Sequence, residues 1–140
     1  IKTFDDLAEI LKNENILMAM GNQDVPVGQY TQKILEHYGL NEEELAGAGK
    51  ISYGSNVKEV ATQISEDSVD CGIIYCTDAY SAGLTVSDYA TADMCGQVVY
   101  PASVLKTSEH QEVAQLFLDY LQTDSCMKIF QKVGFSPVNE

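Results

Sequence analysis

Three short turns carry the residues that could bind a ligand in this chain of 140 residues. The first, residues 21–30 (GNQDVPVGQY), follows an apolar run and precedes a helical pattern. Pro26 fits the first turn of that helix, whose first N–H groups have no intrahelical partner. The amides of Val27, Gly28 and Gln29 are therefore predicted to point out of the helix end, with Gly28 keeping a side chain away from an approaching anion. Taken alone, the turn favours an ordinary helix start.

The other two turns end the next two predicted strands. Residues 54–57 (GSNV) begin a helix for which Ser55 is the expected N-cap, and Lys58 stands where a capping glutamate would normally sit. Residues 75–78 (YCTD) follow an apolar strand and place the Tyr75 hydroxyl at its end. Alternating strands and helices predict a mostly parallel sheet flanked by helices, in which all three turns meet at the ligand-binding edge. A tyrosine in this position is otherwise typical of a core edge.

Catalytic and metal chemistry find less support in the sequence. Asp24 and Asp78 are possible carboxylate catalysts, but no nucleophile or histidine accompanies them, so turn or cap roles are the better interpretation. The spacing of the cysteines and histidines includes no CxxC pair and argues against zinc. We therefore expect no cofactor, no directly bound metal cation and no enzyme activity. The residues considered as metal ligands are Cys71, Cys76, Cys95, Cys126, His37 and His110.

Composition restricts the partners further. The formal net charge is −13, and no basic patch is present, which argues against nucleic acid as a partner. An anion site remains compatible with this charge if backbone dipoles hold the anion, because local donors outweigh screened distant charges. No long apolar run or signal peptide is present, and the first residue is Ile1 rather than Met. We therefore expect a processed or excised piece of a protein.

The remaining pattern predicts helices in the order that an α/β domain requires. Thr3 is an N-cap candidate, Gly39 a C-terminal stop, and Asn41 the cap of a short helix. A strand containing Pro101 is predicted from the apolar run at 97–105, at an edge or a bend. Two amphipathic helices are expected to close the chain. The other predicted elements are strands at 16–20, 50–53 and 71–75, a helical turn at 77–80, and closing helices at 108–121 and 124–133.

Several of these motifs, in this order, resemble those of the molybdate-binding proteins of ABC transporters. The resemblance covers nearly the whole chain and includes the turn at 21–30. The other matching segments are YGSNV at 53–57, GIIYCTDA at 72–79, VYPASVL at 99–105, FLDYL at 117–121, IF at 129–130 and GF at 134–135. The chain is thereby identified as a member of the molybdate- or tungstate-binding group of periplasmic binding proteins of type II.

The resemblance implies a fold and a site. Such proteins have two α/β lobes with the oxyanion between them, so residues 1–95 would be the second lobe, and 96–140 a return strand and helices that complete the first. The chain would then be a fragment with half a pocket. The implied oxyanion ligands are the backbone N–H groups of Val27 and Val57 and the Tyr75 hydroxyl, with Gly28 and Ser55 in support. Val27 replaces the family's more usual alanine, which leaves the amide donor in place.

The implied function is the extracytoplasmic solute-binding component of an ABC importer, periplasmic or lipid-anchored, with a membrane permease as partner. The signal segment would not be in this chain. Sulfate or another tetrahedral anion is the alternative ligand, and an oxyanion-sensing domain of a transcription regulator is the alternative function. Because the apolar faces of residues 108–135 would lack the first lobe, we also expect the fragment to self-associate through them.

Overall fold

Residues 1–138 are described by a computed structural model, and they form two units. The first unit is Ile1–Gln97, and the second begins at Val98. The first unit contains every strand that the structure assigns within residues 1–138. The candidate site must therefore be built from the sheet of the first unit.

The sheet of the first unit has three parallel strands in the order β2-β1-β3: β1 (Met18–Gly21), β2 (Ile51–Gly54) and β3 (Cys71–Gly72). Met18 lies beside Ile51 on one side and beside Cys71 on the other. All four residues of β1 are buried, as expected for a central strand covered on both faces. The predicted parallel sheet is confirmed, with shorter outer strands than the sequence suggested.

Six helices of the first unit precede, connect or follow these strands, and a side-chain N-cap begins three of them. Thr3 caps the first helix by accepting a hydrogen bond from the amide of Asp6 at 3.1 Å, as predicted. Asn41 caps the third in the same way, and Gly39 has the positive φ of 65° expected of a helix stop. The helices are α1 (Phe4–Asn13), α2 (Pro26–His37), α3 (Glu42–Gly47), α4 (Val57–Ser65), α5 (Cys76–Ala82) and α6 (Ala92–Cys95).

The core of the first unit lies around β1. Helices α2 and α4 both contact this strand, and α6 packs on α2. Fully buried side chains come from the strand and from the apolar faces of α1, α2 and α4, so the helical periodicity read from the sequence places the right residues inside. The largest of them are Leu11, Met18, Met20, Val27, Thr31, Leu35 and Val60.

Within the described residues, the second unit consists of a segment without regular structure and two helices, α7 (Gln111–Leu121) and α8 (Asp124–Lys132). The Thr123 hydroxyl accepts a hydrogen bond from the amide of Cys126 and caps α8. Cys126 is buried, whereas no residue of α7 is. Both closing helices were predicted, although α7 begins after a turn in which Ser108 accepts from the amide of His110.

Two predictions about strands are wrong. The segment 97–105 is not a strand in the described chain, consistent with Pro101, which has no N–H to donate to a ladder. The strand predicted at 71–75 ends at Gly72, although the amide of Ile73 still donates to the carbonyl oxygen of Ala19 at 3.2 Å. Beyond that bond the chain turns into α5, so Tyr75 caps a helix rather than ending a strand.

Candidate functional site

The carboxyl ends of the strands lie at one edge of the sheet, because all three strands are parallel. The amide of Asn22 donates to the carbonyl oxygen of Gly54 at 2.9 Å and so joins the turn after β1 to the end of β2. The Asn22 side chain also accepts a hydrogen bond from the amide of Asp24, which shapes the first turn. Asp24 thus sits in a turn, as the sequence suggested.

Only one of the three amides predicted to be free at the start of α2 is free. Val25 is the N-cap, and its carbonyl oxygen accepts from the amides of Gly28 at 2.8 Å and Gln29 at 3.3 Å. The amide of Val27 makes no hydrogen bond within residues 1–138. Val27 is only 2% exposed, so this donor lies in a protected place. The prediction is wrong for Gly28 and Gln29 because the first turn closes on its own cap carbonyl.

Gly28 has a different role from the one predicted. A Cβ atom at this position would collide with the carbonyl oxygens of Asn22 and Gly21 and would lie 2.7 Å from the carbonyl carbon of Gly21. The missing side chain therefore lets α2 approach the end of β1, rather than leaving room for a ligand. Gly28 thereby places the start of α2 against the end of β1.

At the second turn the N-cap is Asn56, not Ser55. The Asn56 side chain accepts a hydrogen bond from the amide of Glu59 at 2.9 Å. Glu59 in turn accepts from the amide of Ser55 at 2.7 Å and from its hydroxyl at 2.8 Å. These two hydrogen bonds lower the pKa of the Glu59 carboxyl. With Asn56 as the N-cap, the third residue of α4 is Glu59, whereas the sequence predicted Lys58 at this position.

The sequence contained the signal for this cap. An asparagine followed three residues later by glutamate is a capping-box pattern, and Asn56 and Glu59 have that spacing. Moving the cap by one residue makes Val57 the first residue of α4. Its amide has no hydrogen-bond partner within the described residues, as is usual at a helix start.

The third turn brings an aromatic pair to the same part of the unit. Tyr75 is half-buried and is the N-cap of α5. Its ring packs edge-on against the ring of Tyr30 from α2, with 6.3 Å between the centroids and 72° between the planes. No sequence pattern predicted this contact. Asp78 lies in the first turn of α5, where burial raises the pKa of its carboxyl.

No cluster of histidine, cysteine, aspartate or glutamate within residues 1–138 could hold a metal ion. A cavity of about 330 Å³ lies elsewhere in the first unit, lined in part by α1, β3 and the segment 84–90. Val27, Val57 and Tyr75 are not among its lining residues. None of the helices found in residues 1–138 has the length and apolar character needed to cross a membrane.

Known proteins match this chain along nearly all of its length. The family described as bacterial extracellular solute-binding protein matches residues 1–136. YvgL of Bacillus subtilis, described as an ABC transporter substrate-binding lipoprotein, is 35% identical over 138 residues, which are 97% of this chain and 50% of YvgL. The molybdate-binding protein ModA of Haemophilus influenzae is 29% identical over 113 residues, which are 80% of this chain and 43% of ModA.

Solved structures share the fold. The periplasmic molybdate-binding protein of Azotobacter vinelandii matches 94% of this chain and 58% of its own, with a TM-score of 0.77 and 18% identity. A protein from Clostridium difficile, described as the substrate binding domain of a molybdenum ABC transporter, matches 94% of this chain and 57% of its own, with a TM-score of 0.77 and 26% identity. These matches confirm the predicted fold class.

The chain spans about half the length of the curated relatives it matches. The resemblance to molybdate-binding proteins noted in the motifs is confirmed by both kinds of comparison. The family match extends over residues 1–136, which is nearly the whole chain, and therefore establishes family membership. The chain belongs to the bacterial extracellular solute-binding protein family.

Proposed function

We propose that this chain is part of the extracytoplasmic solute-binding component of an ABC importer and that the whole protein binds molybdate or tungstate without catalysis. The observation that carries the proposal is the meeting of two turns at one sheet edge through the Asn22–Gly54 hydrogen bond. The contact of Tyr30 with Tyr75 brings the third turn to α2. The relatives described as binding proteins for molybdate or for the substrate of an ABC transporter support the same function.

The proposed ligands are the amides of Val27 and Val57 and the Tyr75 hydroxyl. The two amides lie in the first turns of α2 and α4, where the helix dipole favours an anion. Neutral donors without a competing acceptor can replace the water around a tetrahedral dianion and still allow its release. Gly28 and Ser55 act in support, Gly28 by letting α2 approach β1 and Ser55 by its hydrogen bonds with Glu59.

We assign residues 1–95 to the second lobe of the whole protein and 96–140 to a connecting segment and helices that complete the first. The division of the described chain after Gln97 is in keeping with this assignment. The remaining donors of the pocket would come from the first lobe, which the matched length of the relatives leaves room for. A membrane permease is the proposed partner, and the family and the lipoprotein relative support an extracytoplasmic location.

Calorimetry on the full-length gene product tests the ligand. We expect molybdate and tungstate to bind more tightly than sulfate and phosphate. If sulfate produces binding heat and neither molybdate nor tungstate does, the proposed ligand is wrong and sulfate takes its place. The isolated 140 residues should bind molybdate more weakly than about 1 µM, which corresponds to about 8 kcal/mol, because they carry only part of the donors.

Val57→Pro tests a backbone donor directly. Proline removes the N–H, is tolerated at the first helical position, and suits the extended backbone of Asn56, which has φ −159° and ψ 164°. Val57→Ala is the matched control, because it shortens the side chain and keeps the amide. Loss of a hydrogen bond to a charged group should weaken molybdate binding by Val57→Pro about tenfold or more relative to Val57→Ala. Equal affinity of the two variants would remove Val57 from the site.

We also propose that the isolated chain self-associates through residues 108–135. The outer face of α7 exposes Val113, Leu116, Phe117 and Tyr120 by 55% to 69% each. A row of exposed apolar side chains is stabilised when another protein surface packs against it. In the isolated chain, a second copy of the same chain can provide that surface. Light scattering should detect dimers or larger species, which Leu116→Glu should dissociate and Gln115→Glu, with the same added charge, should not. A monomer at high concentration would contradict the proposal.

A further inference from the structure

Tyr30 occupies a position from which it can fix the ring of Tyr75. It lies in the second turn of α2, is half-buried, and packs against the core cluster of the first unit. Its ring meets that of Tyr75 in an edge-to-face arrangement, with 6.3 Å between centroids. This geometry is one of the two that aromatic pairs prefer, because the positive ring edge of one partner faces the negative ring face of the other.

A second contact restrains Tyr30 itself. The ammonium group of Lys33, one helical turn further along α2, lies 5.5 Å from the centroid of the Tyr30 ring. A cation over an aromatic face at this distance is attracted by the ring. The Tyr30 ring is therefore in contact with the core, with Lys33 and with Tyr75, and it moves with the helix that begins at the first turn.

We propose that Tyr30 is a positioning residue for the oxyanion site, which holds the Tyr75 ring at a fixed distance from the start of α2. This inference rests on the proposed function and deepens it. Tyr75 is the N-cap of α5, and its carbonyl oxygen accepts hydrogen bonds from the amides of Asp78 at 3.1 Å and Ala79 at 3.0 Å. These bonds fix its backbone to α5, whereas the Tyr30 ring contacts its side chain from α2. Tyr30 thereby sets how far the Tyr75 hydroxyl reaches and how large a tetrahedral anion fits.

The test is a double-mutant cycle in the full-length gene product, with molybdate and sulfate titrated separately. Tyr75→Phe removes the hydroxyl, Tyr30→Leu removes the neighbouring ring, and Tyr30→Phe keeps that ring. We expect Tyr30→Leu to weaken molybdate binding about two- to tenfold and to lower the molybdate-to-sulfate affinity ratio, whereas Tyr30→Phe keeps both. In the Tyr75→Phe background, Tyr30→Leu should have no further effect, because no hydroxyl remains to be positioned.

Two controls separate positioning from folding. Tyr38→Leu removes a tyrosine ring from the other end of the same helix, packed against the same core cluster, and should leave the affinity ratio unchanged. If Tyr30→Leu does not fold, Tyr30→Met fills the space with a flexible side chain and takes its place. A fluorine label on Tyr75 should shift in the NMR spectrum when Tyr30 loses its ring, which reports the contact without any ligand.

The outcomes distinguish this inference from the proposed function. Unchanged molybdate binding in Tyr75→Phe, or no oxyanion binding by the wild type, would overturn the proposed site and this inference with it. Weaker binding in Tyr75→Phe, combined with an unchanged affinity ratio in Tyr30→Leu or additive losses in the double variant, would overturn the positioning role alone. A lowered ratio that Tyr38→Leu does not reproduce supports it.

Discussion

The amide of Asn22 and the carbonyl oxygen of Gly54 form a 2.9 Å hydrogen bond that joins two turns separated by more than thirty residues of sequence. Gly21 and Gly54 are the last paired residues of β1 and β2. The bond from Asn22 to Gly54 therefore continues the strand pairing by one residue of the first turn. It therefore fixes the first helix start of the candidate site relative to the end of the neighbouring strand. A backbone contact thus joins the first two turns of the candidate site.

The close approach of α2 to β1 makes Gly28→Ala strongly destabilising. The added methyl group would collide with backbone carbonyl oxygens of Asn22 and Gly21, which cannot rotate away as a side chain can. We expect the free energy of unfolding to fall by about 2 kcal/mol or more. Gly47→Ala is the control, because nothing lies within 4 Å of its Cβ position, and it should be neutral or stabilising by up to about 1 kcal/mol. Denaturant unfolding measures both, and equal stabilities would refute the packing role.

The Glu59 capping contact predicts a pH dependence of stability at the second turn. Hydrogen bonds from Ser55 lower the pKa of the folded-state carboxyl below its ordinary value of 4.5. The contact therefore stabilises the fold above the unfolded pKa, and this contribution is lost as the pH falls through the folded pKa. Glu59→Gln should flatten the acid limb of the thermal stability curve, whereas Glu36→Gln, on the exposed side of α2, should not. An unchanged acid limb in Glu59→Gln would contradict the prediction.

The parts of the fold that the sequence predicted are those with a local cause. Apolar runs predicted β1 and the buried faces of the helices. Polar caps such as Thr3 and Asn41 predicted where helices begin. The alternation of strands and helices then gave the parallel sheet. Even the misplaced cap at Ser55 had a local signal, because Asn56 and Glu59 have the spacing of a capping box.

What the sequence did not predict depends on contacts between distant residues. The amide of Gly28 is occupied by the carbonyl oxygen of Val25, and the missing side chain serves the approach of α2 to β1. Neither fact follows from a helix pattern, since it depends on where the strand end lies. The contact of Tyr30 with Tyr75 joins residues 45 positions apart, and no periodicity indicates such a pair.

Tyr53 should ionise at unusually high pH. Its hydroxyl donates a 2.7 Å hydrogen bond to Glu42, and partial desolvation together with this carboxylate raises the pKa of the phenol from 10.0 to about 12, although the residue is 42% exposed. Since the folded-state pKa is the higher one, the contact contributes stability below pH 10 and loses it as the pH rises through about 12. Ultraviolet difference titration should record a tyrosine ionising near pH 12 that disappears in Tyr53→Phe. Tyr80→Phe, at an exposed position, should leave that step in place.

Cys71 should react slowly with alkylating reagents at neutral pH. Desolvation in the sheet, and to a smaller extent the charge of the neighbouring Asp70, raises the pKa of its thiol from 9.0 to about 11. Because the thiolate is the nucleophile, raising the pKa from 9.0 to about 11 lowers the fraction of reactive thiolate at pH 8 about 100-fold. Peptide mapping after iodoacetamide treatment should therefore find Cys71 labelled far more slowly in the folded protein than in the denatured one, with a rate that rises steeply up to about pH 11. If Cys71 is labelled as fast in the folded protein as in the denatured one, its thiol is not desolvated and its pKa is not raised.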